Sequence, residues 1–205
     1  MKKTLLFTAG ILFGLILLTY PEVTKGKENG SPGGKTNSPI DGSNCTGCHN
    51  TTLNNGQGSV VISSNMPNLE YVPGQTYTIT VTSSHPSFTT YGFELTAENG
   101  ASKAGSFTIT SSETKLVNGG NAVTHKSSGI FGSSSLKTWT VDWTAPGFAS
   151  VDFYVCAVTA NGNGQNSGDE VHTGNVYSVT EQQSTAIEEK EQLFSVFYSD
   201  EKINI

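Results

Sequence analysis

Between Ser59 and residue 181 apolar and polar side chains alternate along short runs, the pattern of strands with one face in a core and the other toward water. Val60-Val61-Ile62 opens the series. In Thr76–Ser83, Tyr77, Ile79 and Val81 share one face and threonines occupy the other. Tyr91, Phe93, Leu95 and Ala97 repeat the spacing, Phe107 and Ile109 mark a further strand, and Val123 another beside His125. Trp139, Val141 and Trp143 alternate, as do Val151, Phe153, Val155 and Ala157, and Val171 to Val179 supplies a last strand. Tyr71-Val72-Pro73-Gly74-Gln75 and Thr144-Ala145-Pro146-Gly147 carry Pro-Gly pairs suited to tight turns. Seven or eight short strands punctuated by turns predict an all-β protein, an antiparallel β-sandwich over residues 59–181.

The flanks have no such period. Met1-Lys2-Lys3 followed by the apolar run Leu5 to Leu18 predicts a cleaved signal peptide over residues 1–20. That run is shorter than the ~20 residues a spanning helix needs, so the mature protein is not expected to be integral to a membrane. Residues 21–58 are rich in Gly, Ser and Asn and read as an exported linker, and residues 182–205 as a C-terminal tail. Charge changes the picture only by exclusion. With a net charge of −6 and no basic cluster beyond the extreme N-terminus, nucleic acid is a poor partner.

The linker holds two of the three cysteines, as Cys45-Thr46-Gly47-Cys48-His49. Cys-x-x-Cys-His has a mechanical logic. The two thiols form thioethers to the vinyl groups along one edge of a haem, and the next residue delivers its imidazole to the iron as proximal ligand. Cys45, Cys48 and His49 are therefore the candidate ligands of a covalent haem c. Two other readings stay open: a Cys45–Cys48 disulfide, or three ligands of a zinc site lacking a fourth. A thioredoxin-type pair lacks its βαβ unit. No helical period or cap surrounds Cys45, so a haem there either leans on the following domain or sits exposed.

The second axial position of the iron has His125 as first candidate and Met66 as alternative, with His172 and His85 behind them or the site left open to water. Cys156 alternates with Val155 and Ala157, faces away from the core side of its strand, and reads as a packed free thiol. Asn161-Gly162-Asn163-Gly164-Gln165-Asn166-Ser167-Gly168-Asp169-Glu170 is rich in oxygen donors, which raises calcium. Its spacing is not that of an EF-hand, and it reads as a hairpin or crossover loop instead. No Ser-His-Asp set, paired carboxylates in an apolar setting or phosphate loop stands out, so the chain is read as a carrier or binding module rather than an enzyme.

Residues 59–181 resemble the Reelin-domain-like (Reeler) β-sandwich, and within it the bacterial branch termed choice-of-anchor V, found in exported Bacteroidetes proteins. The resemblance is carried by Tyr71-Val72-Pro73-Gly74-Gln75-Thr76-Tyr77, Tyr91-Gly92-Phe93-Glu94-Leu95, Val123-Thr124-His125, Trp143-Thr144-Ala145-Pro146 and Asn161-Gly162-Asn163-Gly164 leading to Ser167-Gly168-Asp169. Pro32 to Pro39 with the Cys-x-x-Cys-His stretch resembles that family's lead-in. The resemblance implies an immunoglobulin-like sandwich on a periplasmic, surface or secreted protein. It does not imply an enzyme. Glu191 to Ile205 is similar to the start of a type IX sorting domain, without its usual Pro-Asn-Pro. Together these expectations describe an exported mono-haem c-type protein serving electron transfer or haem sensing with a redox partner in the cell envelope. The competing description is a surface binding or adhesion module with a Cys45–Cys48 disulfide.

Overall fold

The computed structural model describes residues 26–183. The expected signal peptide and residues 184–205 of the expected tail lie outside the described residues. The strands are β1 (Ser59–Ser64), β2 (Glu70–Tyr71), β3 (Thr76–Ser84), β4 (Thr90–Asn99), β5 (Ser102–Lys103), β6 (Ser106–Thr108), β7 (Thr114–Val117), β8 (Ala122–His125), β9 (Leu136–Thr144), β10 (Ser150–Ala160), β11 (Glu170–Thr173) and β12 (Tyr177–Glu181). They form two sheets. One runs β1-β3-β9-β6; the other runs β2-β12-β10-β4-β8-β7, with β11 paired to β10 and β5 to β4. Every pairing is antiparallel except the short β2–β12 pair. The expected β-sandwich is present, and Val171–Val179, read as one strand, is two.

The core follows from the alternation. Tyr77, Ile79 and Val81 of β3 and Trp139, Val141 and Trp143 of β9 are buried, facing Phe93, Leu95, Phe153 and Val155 of the second sheet. Aromatic side chains supply most of the buried area. Trp143 meets Tyr71 edge-on at 5.6 Å and Phe153 at 4.9 Å. Each indole N–H finds a carbonyl, Trp143 donating to Ala104 at 3.0 Å and Trp139 to Gly129 at 2.8 Å, so neither polar atom is buried unpaired.

β4 and β10, like the short β8 beside β4, are buried on both faces. Their outward set includes Glu94, Glu98, Cys156 and Val158, and residues 26–58 lie across it. The segment expected as a linker is thus a packed lead-in. It folds back on itself through the Thr36–Asn44 bridge, then pairs with the far side of the sheet through Asn50–Ser167 and Leu53–Val171. Buried carboxylates anchor it. The Lys35 amide donates to Glu94 at 3.2 Å, the Ile40 amide to Glu98 at 3.4 Å, and Lys103 bridges Asp41 at 2.8 Å and Glu98 at 2.7 Å.

Candidate functional site

The Cys-x-x-Cys-His stretch is a single 3-10 turn, Cys45–Gly47, laid on β10. Asn44 caps it: its side-chain oxygen accepts from the Thr46 amide at 2.9 Å, answering a donor that the turn leaves open. The Cys48 and His49 amides both donate to the Cys45 carbonyl, at 3.1 and 3.0 Å. Cys45 is buried and Cys48 exposed, and no disulfide joins them. Cys45 packs with Cys156, Val158 and Val171 in a small cluster behind the sheet. Its amide donates to the Cys156 sulfur at 3.5 Å. The side-chain hydrogen bond with Cys156, then burial, push the Cys45 thiol well above its ordinary pKa. Cys156 does face away from the main core, as its alternation predicts. It is not isolated, because the lead-in brings Cys45 onto it.

His49 is held from the other side. Its Nδ1 lies 2.7 Å from Asp169 Oδ2, and the carboxylate is almost wholly buried. The loop between β10 and β11 presents Asp169 rigidly. Asp169 Oδ1 accepts the Asn161 amide at 3.1 Å, and Asn161 and Asn163 both donate to the Ser167 carbonyl, at 3.0 and 3.1 Å. Gly168 adopts φ 78°, and a Cβ there would come within 2.5 Å of the Asn161 amide nitrogen, so both its conformation and the space require glycine. The Asn161 and Asn163 side-chain oxygens accepting backbone N–H groups cap the loop. They are spent on the turn rather than gathered toward a cation. Among the described residues no group of three or more His, Cys, Asp or Glu side chains is arranged to hold a metal ion.

Two adjoining cavities open beside His49. The larger, about 340 Å³, is lined by His49, His125, Tyr91, Ile130, Phe131 and Asp169 among others. The smaller, about 50 Å³, is bounded by Cys45, Cys48, His49, His125, Phe93 and Val158, with Lys27 and Lys35 at its edge. All three residues of the Cys-x-x-Cys-His motif therefore line one space with apolar walls and flanking cations. His125, the first candidate for the second axial position, shares both cavities with His49. Its Nδ1 accepts the Phe93 amide at 3.0 Å, and a further hydrogen bond ties the ring to the Lys27 backbone. Burial, with smaller contributions from the charges of Lys115 and His49, lowers its pKa from 6.5 to about 4, so the ring is neutral at neutral pH. Gly92 makes room for it: a Cβ there would lie 2.6 Å from His125 Cε1.

The remaining candidates lie elsewhere. Met66 is buried in the sandwich core, in a different cluster from Cys45, and lines neither cavity. His172 and His85 converge on Glu170, their Nε2 atoms 3.2 and 3.4 Å from Oε2. His85 Nδ1 accepts the Ser87 and Phe88 amides at 3.0 and 2.7 Å, which gives the ring a structural task, while its buried Nε2 faces Glu170 without a well-formed hydrogen bond. The Gln57 and Gly58 amides also donate to Glu170 Oε2, at 2.8 and 2.9 Å. This clamp fixes the end of the lead-in, away from the cavities. Sequence reasoning passed over Asp169 and the Cys45–Cys156 contact. The first sat in a loop read for calcium, and the second needs the covering of β10.

The Reeler domain family model matches residues 44–162, which places the start of the domain within the lead-in, one residue before Cys45. Solved structures similar to this chain include the Reelin-N domain of F-spondin, 22% identical over 64% of this chain and 92% of that one, with a TM-score of 0.49. The human F-spondin reeler domain is 21% identical over 64% of this chain and 94% of that one, with a TM-score of 0.47. A conjugative transposon lipoprotein from Bacteroides eggerthii is 17% identical over 60% of this chain and 95% of that one, with a TM-score of 0.35. No curated protein matches the chain. The family match covers more than half of the sequence, and the chain belongs to the Reeler domain family.

Proposed function

We propose that this Reeler protein is an exported mono-haem c-type protein of the cell envelope, serving electron transfer or haem-based sensing with a protein redox partner. The observation that carries the reading is the setting of His49. Asp169 engages Nδ1, while Nε2 makes no hydrogen bond among the described residues and belongs to a side chain lining the cavity shared with Cys45 and Cys48. A carboxylate on the far nitrogen is how proteins fix the tautomer and orientation of a ligating imidazole. When bound, haem supplies one-electron chemistry at an iron whose potential is set by axial ligation, hydrogen bonding and burial. In this chain Cys45 and Cys48 would hold a haem covalently, His49 would ligate its iron, Phe93 and Val158 would exclude water, and Lys27 and Lys35 would balance its anionic groups. His125, which shares both cavities with His49, would be the candidate for a second iron ligand.

The test is intact mass together with a haem-stained denaturing gel, on protein made with a cytochrome c maturation system. One haem retained through denaturation is the expected result. His49→Ala should keep the attached haem and alter its visible spectrum. A chain without haem after such expression refutes the reading. A second reading, a non-enzymatic surface binding module, is favoured by family membership and by Phe131, which is 67% exposed at the larger cavity. It predicts no Soret band, with ligand binding weakened by Phe131→Ser.

A further inference from the structure

We infer that Cys156 is the disulfide partner of Cys45 in the exported chain that carries no haem, so that Cys156 and a porphyrin vinyl group compete for the Cys45 thiol. The inference goes beyond the haem reading and stands without it. Three observations support it. The Cys45 amide donates to the Cys156 sulfur at 3.5 Å, while the Cys45 thiol donates to the Lys35 carbonyl at 3.8 Å. Both thiols are buried in one cluster with Val158 and Val171. Cys48, the other candidate partner, is on the exposed side of the 3-10 turn.

Closing the bond joins Sγ of Cys45 to Sγ of Cys156. Two protons and two electrons pass to a disulfide oxidant, whose own S–S bond is reduced to two thiols. The product pins the lead-in to β10 across 111 residues of intervening chain and leaves Cys48 as the single free thiol. Cys45 tied in this way has no sulfur to offer a haem, so the crosslinked form is a haem-free end state. Reduction regenerates the Cys45 and Cys156 thiols.

The experiment uses the full chain exported to an oxidising compartment without a haem maturation system, denatured in N-ethylmaleimide without reductant and cut after lysine. Residues 36–103 carry Cys45 and Cys48, and residues 138–190 carry Cys156. The expected result is these two peptides linked, with one alkylated cysteine. The link persists in Cys48→Ser and is lost in Cys45→Ser. A peptide 36–103 two hydrogens light beside an alkylated Cys156, or three alkylated cysteines, overturns the inference. Fragment spectra of the wild-type linked pair that place the alkyl group on Cys48 decide it even if a variant fails to fold, and an alkyl group on Cys45 overturns it. Reducing the linked protein should lower its melting temperature by about 10 °C. With the maturation system present, haem on the chain together with loss of the link supports both readings. A chain that never takes haem refutes only the haem reading, because the link is scored in haem-free protein.

Discussion

At the scale of single residues the site is held by a few atoms that have no substitute. Asp169 serves His49 with one oxygen and the Asn161 amide with the other. Asp169→Asn keeps the shape and removes the charge. It should cost about 1–3 kcal/mol in urea unfolding and, in haem-loaded protein, raise the reduction potential, because a neutral partner makes His49 a weaker donor. An unchanged potential would mean that His49 is not on the iron. Gly92→Ala should destabilise by about 1–3 kcal/mol, since the new methyl group must displace the His125 ring. His125 also sets a pH dependence. Its folded pKa is depressed to about 4, so the unfolded chain takes up the proton first as pH falls. The stabilisation is fully present above 6.5 and is lost between 6.5 and about 4. In haem-free protein this amounts to about 3 kcal/mol between pH 7 and pH 4. His125→Gln should flatten that part of the stability profile whatever it does to the absolute value.

At the scale of elements, Glu170 at the start of β11 works as a clamp. Burial disfavours its charge, but hydrogen bonds from Gly58, His172 and Gln57, with His85 facing the carboxylate, outweigh that and hold the carboxyl below its usual range. A depressed carboxylate stabilises above its unfolded pKa, ~4.3, and the benefit disappears as pH falls through the lower folded value. Glu170→Gln should therefore be about 1–3 kcal/mol less stable than wild type at pH 7, with the gap narrowing as pH falls below the usual carboxylate range in matched urea titrations. β3 and β9 were legible in the sequence because one face meets water and the alternation is clean. Only half of β4 and β10 was legible. Their inner residues alternate, whereas Glu94, Thr96 and Glu98 carry the chemistry of a surface and are buried by a segment without any period. The Cys-x-x-Cys-His motif announced Cys45, Cys48 and His49 through spacing. Asp169 stands 120 residues from His49, and only the fold relates them. The run from Val171 to Val179 reads as continuous only if Gly174-Asn175 is passed over, a turn-forming pair that marks the departure at Gly174. There the chain leaves the half of β10 paired with β11 and rejoins the strand at the other half through β12.

At the scale of the whole molecule, the lead-in and the sandwich are one folding unit. Removing residues 26–58 would uncover Cys156, Val158 and the Glu94–Glu98 row together, taking away the lead-in's hydrogen bonds to the two carboxylates and leaving apolar side chains in water. A chain of residues 59–183 is expected to lose cooperative melting and to self-associate on size exclusion. A monomer that melts as sharply as the full chain would show the lead-in to be dispensable.

The burial of Cys45 also orders events in time. A chain threaded outward from its amino end presents Cys45 to the far side of the membrane long before the strand that will cover it, since Cys156 follows 111 residues later. Any catalyst that modifies the Cys45 sulfur works on this emerging segment, with the sheet not yet assembled. Once β4 and β10 pair and the turn settles onto them, the opportunity closes. The folded protein preserves whichever outcome came first, so the relative speed of export and modification, rather than affinity in the finished structure, decides which form the cell accumulates.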